Sequence, residues 1–325
     1  MKGKKVIALF LVIILVVIMG MMAACGGGNT GGRAATEDTF KVAMIVHEIS
    51  AFTDAFNRGA QNAAECFGMK VDFMAPDAID IPKQVAMLES AVNSGEYDGI
   101  ACTVMDDNAF TDAINTAKSK GMPVIVFNVD SSVAPLGDSY VGQNSIQAGY
   151  SVAKVVFEKM GGKGTYITVS AIPTLGVLVD RTAGFALAQE EYPGISIAGP
   201  QIDIGTDMTA AVAAVENAFT AYPDIDGIIG TDHFSESIGM YLDASGKGGS
   251  VVAGGFDITP GIMNYLVNDV MQVTCGQNPF MQGFYPIQMI YHKLAFDIDP
   301  VKGIDTGAAI VTKDNVQKYI DSGGE

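Results

Sequence analysis

The sequence predicts an α/β protein with two lobes, each a doubly wound parallel sheet. Short apolar runs alternate along the chain with longer stretches in which apolar residues recur every three or four positions. The short runs are apolar throughout, as strands are when helices cover both faces of a parallel sheet. About eleven such runs occur, which is more than one sheet comfortably holds, so we expect two sheets.

The alternation begins with an aliphatic strand at Thr39–Val46 and a helical stripe over Ala51–Phe67 that Gly68 ends. The further predicted strands are Val71–Met74, Gly99–Met105, Pro123–Val129, Thr165–Ser170, Ile195–Ile202, Gly227–Gly230, Val251–Phe256, Met271–Cys275 and Ala308–Val311. The further predicted helices are Lys83–Asn93, Ala109–Lys120, Ile146–Met160, Asp180–Glu191, Thr209–Ala221, Glu236–Ala244, Pro260–Asn268 and Pro279–Phe296, followed by a short last helix.

The first thirty residues are typical of an export signal. Met1–Lys5 contains three lysines, Val6–Met22 is almost entirely apolar, and two alanines precede Cys25 and a glycine-rich stretch. This pattern describes a cleaved signal, and a transmembrane anchor is the alternative. The Ala-Ala-Cys sequence resembles the bacterial lipoprotein signal, which implies cleavage before the cysteine and its acylation. We therefore predict a lipoprotein signal peptide over residues 1–24, a flexible tether over 25–38, and anchoring to the cell membrane by lipid.

The charge balance argues against nucleic acid as a partner. Lysine and arginine total 19 and aspartate and glutamate total 36, which gives a formal charge of −17. Removal of the predicted signal takes away three lysines and lowers the charge to −20. Nucleic acids are bound by basic surfaces that this chain lacks. The same charge repels anionic lipid headgroups, so the lipid must hold the protein at the membrane.

The sequence lacks motifs for metal binding, phosphate binding and catalysis. Cys66, Cys102 and Cys275 remain after the predicted cleavage, and an odd number without CxxC spacing predicts neither a disulfide framework nor a zinc site. The apolar surroundings of Cys102 and Cys275 predict burial. No phosphate-binding, HExxH or GxSxG motif occurs. The sequence also offers no catalytic set of a nucleophile, a general base and a residue that orients the base. We therefore expect no metal, no cofactor and no enzymatic activity.

Polar residues follow the predicted strands, where ligands bind in open α/β sheets. The residues at these ends include Ser50, Phe52, Thr53, Asp106, Asn128, Asp130, Asp232, Asp257 and Gln277. Carboxylates and amides suit hydroxyl groups, and an aromatic ring covers the apolar face of a sugar. Each polar residue taken singly has a simpler explanation as a helix cap, as Thr259 has before Pro260. Eight polar strand ends together favour a site.

Several stretches also share their order and spacing with a known family. They are Ala43–Val46, Asn57–Ala60, Gly121–Asn128, Tyr140–Asn144, Ala148–Gly149, Arg181–Phe185, Gly254–Pro260 and Gln277–Pro279. Together they resemble the type I periplasmic binding proteins, specifically the ribose-, galactose- and inositol-binding branch that serves ABC transporters. The resemblance implies two lobes joined by three crossovers, near Gly142–Gln143, Gln277–Asn278 and Gly303–Asp305. The lobes would comprise residues 39–142 with 278–304, and 143–277 with 305–325.

The resemblance also implies roles for individual residues. Ser50, Phe52 and Thr53 would line the face of the first lobe. Asn128 would bond ligand hydroxyls, with Asp130 close by, and Arg181 would donate from the second lobe as a two-pronged fork. Asp232, Asp257 and Gln277 would accept or donate hydrogen bonds at the remaining positions of the sugar ring. Ribose and galactose binders usually have Asp-Arg where this chain has Asn128-Val129, so the specific sugar stays open.

The function implied by the resemblance is capture of a small polyhydroxylated ligand, a monosaccharide or polyol, and its delivery to an ABC permease. We expect an extracytoplasmic monomer. One alternative is a ligand-sensing receptor for chemotaxis, a sensor kinase or a furanose-type quorum signal, because its binding chemistry would be the same. Further alternatives are a nucleoside binder and a secreted hydrolase, in which His47 and His233 would have to cooperate across the cleft.

Overall fold

A computed structural model describes residues 39–130 and 136–322, which contain thirteen strands and ten α-helices. The predicted signal peptide, Cys25 and the tether lie outside the described residues. The strands are β1 Lys41–Ile45, β2 Lys70–Met74, β3 Gly99–Cys102, β4 Val124–Phe127, β5 Ser139–Gly142, β6 Lys163–Ser170, β7 Gly194–Ile197, β8 Ile202–Asp203, β9 Gly227–Gly230, β10 Val252–Phe256, β11 Val273–Gly276, β12 Gly303–Asp305 and β13 Ala309–Val311. The helices are α1 Ala51–Phe67, α2 Ile81–Ser94, α3 Asp107–Ser119, α4 Ser145–Lys159, α5 Gly176–Glu190, α6 Met208–Ala221, α7 Glu236–Ala244, α8 Pro260–Val267, α9 Pro279–Phe296 and α10 Val316–Asp321.

The strands form two sheets, which confirms the prediction of two α/β lobes. The first sheet has the order β12-β5-β4-β3-β1-β2, and all its pairs are parallel. The second has the order β13-β11-β10-β9-β6-β7, with β8 also pairing with β6. Its edge strand β13 runs antiparallel to β11, so the prediction of wholly parallel sheets is wrong at this edge. The reason is that the chain enters β13 directly from β12, without a helical crossover.

Three connections join the two sheets. The chain passes from β5 to α4, from β11 to α9 and from β12 to β13. Gln143 ties the three together, because its amide nitrogen donates to the carbonyls of Gly276 at 3.1 Å and Gly307 at 3.0 Å. The hinge between the lobes is therefore a hydrogen-bonded unit.

Both faces of each sheet are covered, which explains the uniformly apolar strands. In β1, Val42 and Met44 point into one core, and Ala43 and Ile45 point into another. The second sheet likewise packs against two separate cores. Cys102 and Cys275 are fully buried, as predicted, and Cys66 is exposed; these three cysteines are free thiols in the described part of the chain.

Strands β5 and β12 are missing from the prediction, and several other bounds shift by a few residues. Two of the differences have a clear physical reason. The strand predicted over Ile195–Ile202 is split into β7 and β8, because Pro200 in its middle has no N–H to donate to the ladder. Helix α5 begins at Gly176 rather than at Asp180. Its N-cap is Leu175, whose side chain makes no capping bond, so the usual start signal is missing. Within residues 39–130 and 136–322, no helix has the length and apolar content to cross a membrane.

Candidate functional site

A cavity lies between the lobes, where the carboxyl ends of both sheets face each other. Its volume is about 540 Å³ with the mouth included. The first lobe contributes residues that follow β1 to β4, and the second lobe contributes residues that follow β6, β8, β9 and β10. The lining residues include six of the predicted site residues, namely Phe52, Asn128, Arg181, Asp232, Asp257 and Gln277. Ligand binding beyond the strand ends is the behaviour expected of open α/β sheets.

Two of these residues occupy an unusual backbone conformation. Asn128 has φ 61° and Asp257 has φ 71°, both in the left-handed region. Asparagine and aspartate enter this region more easily than most residues with side chains. The turn lets each residue leave its strand and present a side chain inside the cavity. It also explains why an amide and a carboxylate stand at these two strand ends.

A chain of hydrogen bonds connects the polar residues of the two lobes. Asn128 Nδ2 donates to Gln277 Oε1 at 3.0 Å and to Gln282 Oε1 at 2.9 Å. Gln277 Nε2 in turn donates to Asp257 Oδ1 at 2.7 Å. Asn128 belongs to the first lobe, Gln277 to the hinge and Asp257 to the second lobe. The orientation of each side chain in the cavity is thus set by a partner in a neighbouring element.

Asp257 is almost fully buried, at 4% exposure. Burial raises the pKa of Asp257 because it disfavours the charged form, while the nearby Arg181 and His233 and the bond from Gln277 act in the opposite direction. A hydroxyl group that donates to this carboxylate would stabilise its charged form.

Arg181 is the basic residue of the cavity, and it too is only 4% exposed. One terminal nitrogen donates to the carbonyl of Thr231 at 2.7 Å, and the other to Gln143 Oε1 at 3.1 Å. The guanidinium carbon lies 4.0 Å from the ring centre of Phe256, so the guanidinium stacks on the face of this ring. Its Nε is buried and finds no hydrogen-bond partner among the described residues. These bonds use two of the five N–H groups of the guanidinium, so three donors remain, the Nε–H among them.

Asp232 also lines the cavity, but its oxygens are already used. Oδ2 accepts from the backbone nitrogen of Ala171 and from Thr231 Oγ1, both at 3.0 Å. Oδ1 accepts from the backbone nitrogen of Phe234 at 2.8 Å. Asp232 thus shapes the wall by holding the loops after β6 and β9 together.

His47 and His233 lie on opposite sides of the cleft. His47 is buried, and its Nδ1 is 3.3 Å from Thr103 Oγ1. Burial, together with the imidazole of His233, lowers the pKa of His47 from 6.5 to about 4. His233 stacks on Phe52 with ring centres 6.2 Å apart, and its Nε2 is 4.0 Å from Glu48 Oε1. These contacts link the lobes in the conformation described.

Four predicted site residues are not brought into this cavity. Ser50 and Thr53 form a capping box at the start of α1, and Thr53 is completely buried. Asp106 caps α3 by accepting from the backbone nitrogen of Ala109 at 2.8 Å. Asp130 lies in a separate depression beside Tyr140. Ser50, Thr53 and Asp106 thus have partners in the caps of α1 and α3, and their role in ligand binding stays a prediction.

Sequence reasoning missed the apolar part of the wall. It consists of half-buried residues from loops after β2, β3 and β6 and from the start of α5, mainly Ile79, Met105, Ile172, Leu175 and Val177. The sequence carries a signal for part of it, because Met105 and Ile172 lie in the segments just after β3 and β6. Apolar residues at strand ends are also typical of a core, so they do not indicate a ligand site as polar and aromatic residues do.

The arrangement suits binding of a neutral ligand. It offers acceptors, amides, one buried cation and an aromatic ring, and within the described residues no group of three or more His, Cys, Asp or Glu could hold a metal ion. The two carboxylates in the wall outnumber the single guanidinium, which disfavours an anionic ligand.

Known proteins resemble the chain over most of its length. The xylose/arabinose-binding protein XylF of Sulfolobus acidocaldarius is 25% identical over 307 residues, covering 89% of this chain and 75% of that protein. An ABC transporter solute-binding protein from Burkholderia graminis, solved in complex with D-arabinose, is 26% identical with a TM-score of 0.80, covering 86% of this chain and 97% of that one. GanP, a glucose-galactose binding protein from Geobacillus stearothermophilus, has a TM-score of 0.80 at 20% identity, covering 86% of this chain and 99% of that one. The sequence profile of the periplasmic binding protein domain matches residues 40–297, and the chain therefore belongs to the periplasmic binding protein family.

Proposed function

We propose that the protein is an extracytoplasmic, lipid-anchored solute-binding protein. It captures a monosaccharide or polyol between its lobes and delivers it to an ABC permease. The relatives support this ligand class. Two are named for binding xylose and arabinose or xylitol, and two solved relatives hold D-arabinose or D-allose. The anchor rests on the sequence around Cys25, and the permease rests on the family.

The observation that carries the proposal is the shared polar wall of the cavity. The first lobe supplies Asn128, the hinge supplies Gln277, and the second lobe supplies Arg181 and Asp257. A ligand with several hydroxyl groups bonds to both lobes at once, whereas a ligand with a single polar group does not. The buried Nε of Arg181 and the carboxylate of Asp257 are the groups that gain most from such a partner.

Closure follows from the way the wall is connected to the hinge. Arg181 bonds to Gln143, and Gln143 bonds to both other connections between the lobes. A ligand that bridges the lobes stabilises the closed arrangement by its extra contacts there, and thus shifts the open–closed equilibrium. The ligand leaves chemically unchanged, because the proposed role is binding and release.

The first experiment is a ligand screen on the full chain purified in detergent. Thermal unfolding is followed by circular dichroism with pentoses, hexoses, polyols and nucleosides at millimolar concentration. Since a ligand that binds only the folded state stabilises it, a ligand at about 100 times its Kd should add about 2.7 kcal/mol. Hits confined to nucleosides, or none at all, would contradict the proposed ligand class.

A matched pair of variants then tests the site. Asp257→Asn removes the charge while keeping a residue that tolerates the left-handed backbone. Asp269→Asn makes the same change at a residue with φ 60° that pairs with Lys313 on the surface, away from the cavity. We expect the first variant to lose most of the ligand-induced stabilisation and the second to keep it. Equal stabilisation of both variants would remove Asp257 from the site.

A further inference from the structure

The polar residues of the cavity are concentrated on its hinge side. Asn128 follows β4, Asp257 follows β10 and Gln277 follows β11. In each sheet these strands lie next to the strands that carry the connections between the lobes, β5 and β13 among them. Arg181 joins this group through its bond to Gln143 at the first connection. The donors and acceptors for hydroxyl groups therefore lie together at one end.

Aliphatic residues and a methionine line another part of the cavity. Ile79 follows β2 at the far edge of the first sheet, Met105 follows β3, and Ile172 follows β6 near the far edge of the second sheet. Leu175 and Val177 complete this wall at the start of α5. All five side chains are half-buried, and Met105 and Ile172 also pack against a core. They form a surface that an apolar part of a ligand would cover.

The polar residues near this wall do little to change its character, since Asp232 has both oxygens bonded and His233 stacks on an aromatic ring. Thr206 is exposed at the rim, and His47 has Thr103 as a partner for its Nδ1. A hydroxyl group buried against the aliphatic wall would lose its bonds to water and gain none. A methyl group in the same place would be removed from water at no such cost.

We propose that the natural ligand is a deoxy sugar with a terminal methyl group, of the 6-deoxyhexose class. This inference rests on the proposed function, because it assumes that the cavity binds a small sugar. The ring hydroxyls face Asn128, Arg181, Asp257 and Gln277. The methyl carbon faces the wall of Ile79, Met105, Ile172, Leu175 and Val177, which is called the aliphatic wall below.

The experiment compares sugars that differ only in the oxygen on that carbon. The pairs are L-rhamnose with L-mannose, L-fucose with L-galactose, and D-quinovose with D-glucose. Affinities are measured by isothermal titration calorimetry on the full chain in detergent. In the pair that fits the ring site, we expect the deoxy sugar to bind at least about tenfold more tightly. This is the lower end of the discrimination that a hydrophobic pocket achieves between ligands differing by one small group.

Variants of the aliphatic wall provide the second measurement. Met105→Gln and Leu175→Gln keep a similar volume and add hydrogen-bonding groups, so we expect the preference for the deoxy sugar to fall below about threefold. Met87→Gln makes the same change on α2, at a half-buried methionine that packs against the same core as Met105 but does not line the cavity. This control should keep the full preference.

The outcomes separate this inference from the proposed function. Tighter binding of the hydroxylated sugar in every pair that binds, or binding only of pentoses or linear polyols, overturns the deoxy-sugar assignment and leaves the proposed function standing. An unchanged preference in both wall variants overturns the role of the aliphatic wall. If no sugar or polyol binds at all, the proposed function fails as well.

Discussion

Arg181 combines three features that rarely occur together in one side chain. It is buried, it is stacked on an aromatic ring, and it keeps one nitrogen without a partner among the described residues. An unmade hydrogen bond of a buried charged group is costly, so the site gains when a ligand supplies the missing acceptor. The flat guanidinium also matters for the stacking, which a lysine ammonium does not reproduce.

We therefore expect Arg181→Lys to weaken ligand binding by about 1–3 kcal/mol, although the charge is retained. The measurement is titration calorimetry with the best ligand of the screen. Arg58→Lys is the matched control, because Arg58 pairs with Asp54 on the exposed side of α1. Wild-type affinity in the Arg181 variant would show that Nε does not contact the ligand.

His47 makes stability depend on pH. The unfolded chain takes up a proton at this residue near its ordinary pKa of 6.5, whereas the folded chain does so only near about 4. Between these values the unfolded state binds more protons, so stability falls as the pH is lowered through this window. The loss attributable to a buried group with this shift is about 3 kcal/mol.

His47→Gln should flatten this part of the pH profile. Urea unfolding at about pH 7 and about pH 4.5 measures the effect, with the difference between the two pH values smaller in the variant than in the wild type. His292→Gln serves as the control, since His292 lies on α9 away from the cavity. A profile for His47→Gln as steep as that of the wild type would place the titrating group elsewhere.

Each lobe contains a pair of helices that pack closely through glycines. In the second lobe, α4 and α5 meet where Gly149 faces the backbone oxygen of Arg181 and Gly184 faces that of Ile146. In the first lobe, α1 and α9 meet in the same way, with Gly59 against Phe280 and Gly283 against Phe56. A side chain at any of these glycines would collide with the opposite backbone, so the helices would have to separate.

Gly149→Ala should therefore destabilise the protein by about 1–3 kcal/mol, even though alanine favours an isolated helix. Because the displaced backbone is that of Arg181, the variant should also bind ligand more weakly. Gly59→Ala produces a comparable collision in the other lobe without moving Arg181, so it should lower stability with a smaller effect on affinity. Thermal unfolding and calorimetry measure the two effects, and a Gly149→Ala protein with wild-type stability would contradict the close packing.

Periodicity and end signals allowed much of the fold to be predicted. The bounds of Glu236–Ala244 and Pro279–Phe296 were predicted as observed, and Thr259 caps α8 as expected. The start of α5 could not be predicted, because nothing in the side chain of Leu175 marks it. The site was harder still. Ser50 and Asp257 are similar strand-end residues in the sequence, and only their three-dimensional partners separate a helix cap from a cavity residue.

The whole molecule is held at its hinge by Gln143 and across its cleft by Asn128, Gln277 and the stacked pair of Phe52 and His233. Its formal charge of −17 keeps it soluble and opposes contact with anionic lipid. The proposed attachment at Cys25 must therefore supply the membrane affinity that the protein surface lacks.

We expect radioactive palmitate to label the wild-type protein and Cys66→Ser, but not Cys25→Ser. Cys66 is exposed and free, so it controls for acylation of any accessible thiol. The readout is the label in the immunoprecipitated protein from growing cells. Label retained in Cys25→Ser would place the acylation at another residue, and an unlabelled wild-type protein would overturn the lipoprotein assignment and favour the uncleaved transmembrane anchor.

The left-handed backbone at Asn128 and Asp257 also limits how new specificities can arise. Only glycine, asparagine and aspartate occupy such positions without appreciable strain, so a library randomised there would consist largely of damaged clones. Ile79, Met105 and Leu175 are not under that constraint, since their φ angles are negative. Directed evolution towards another sugar should therefore draw its successful mutations from these three codons.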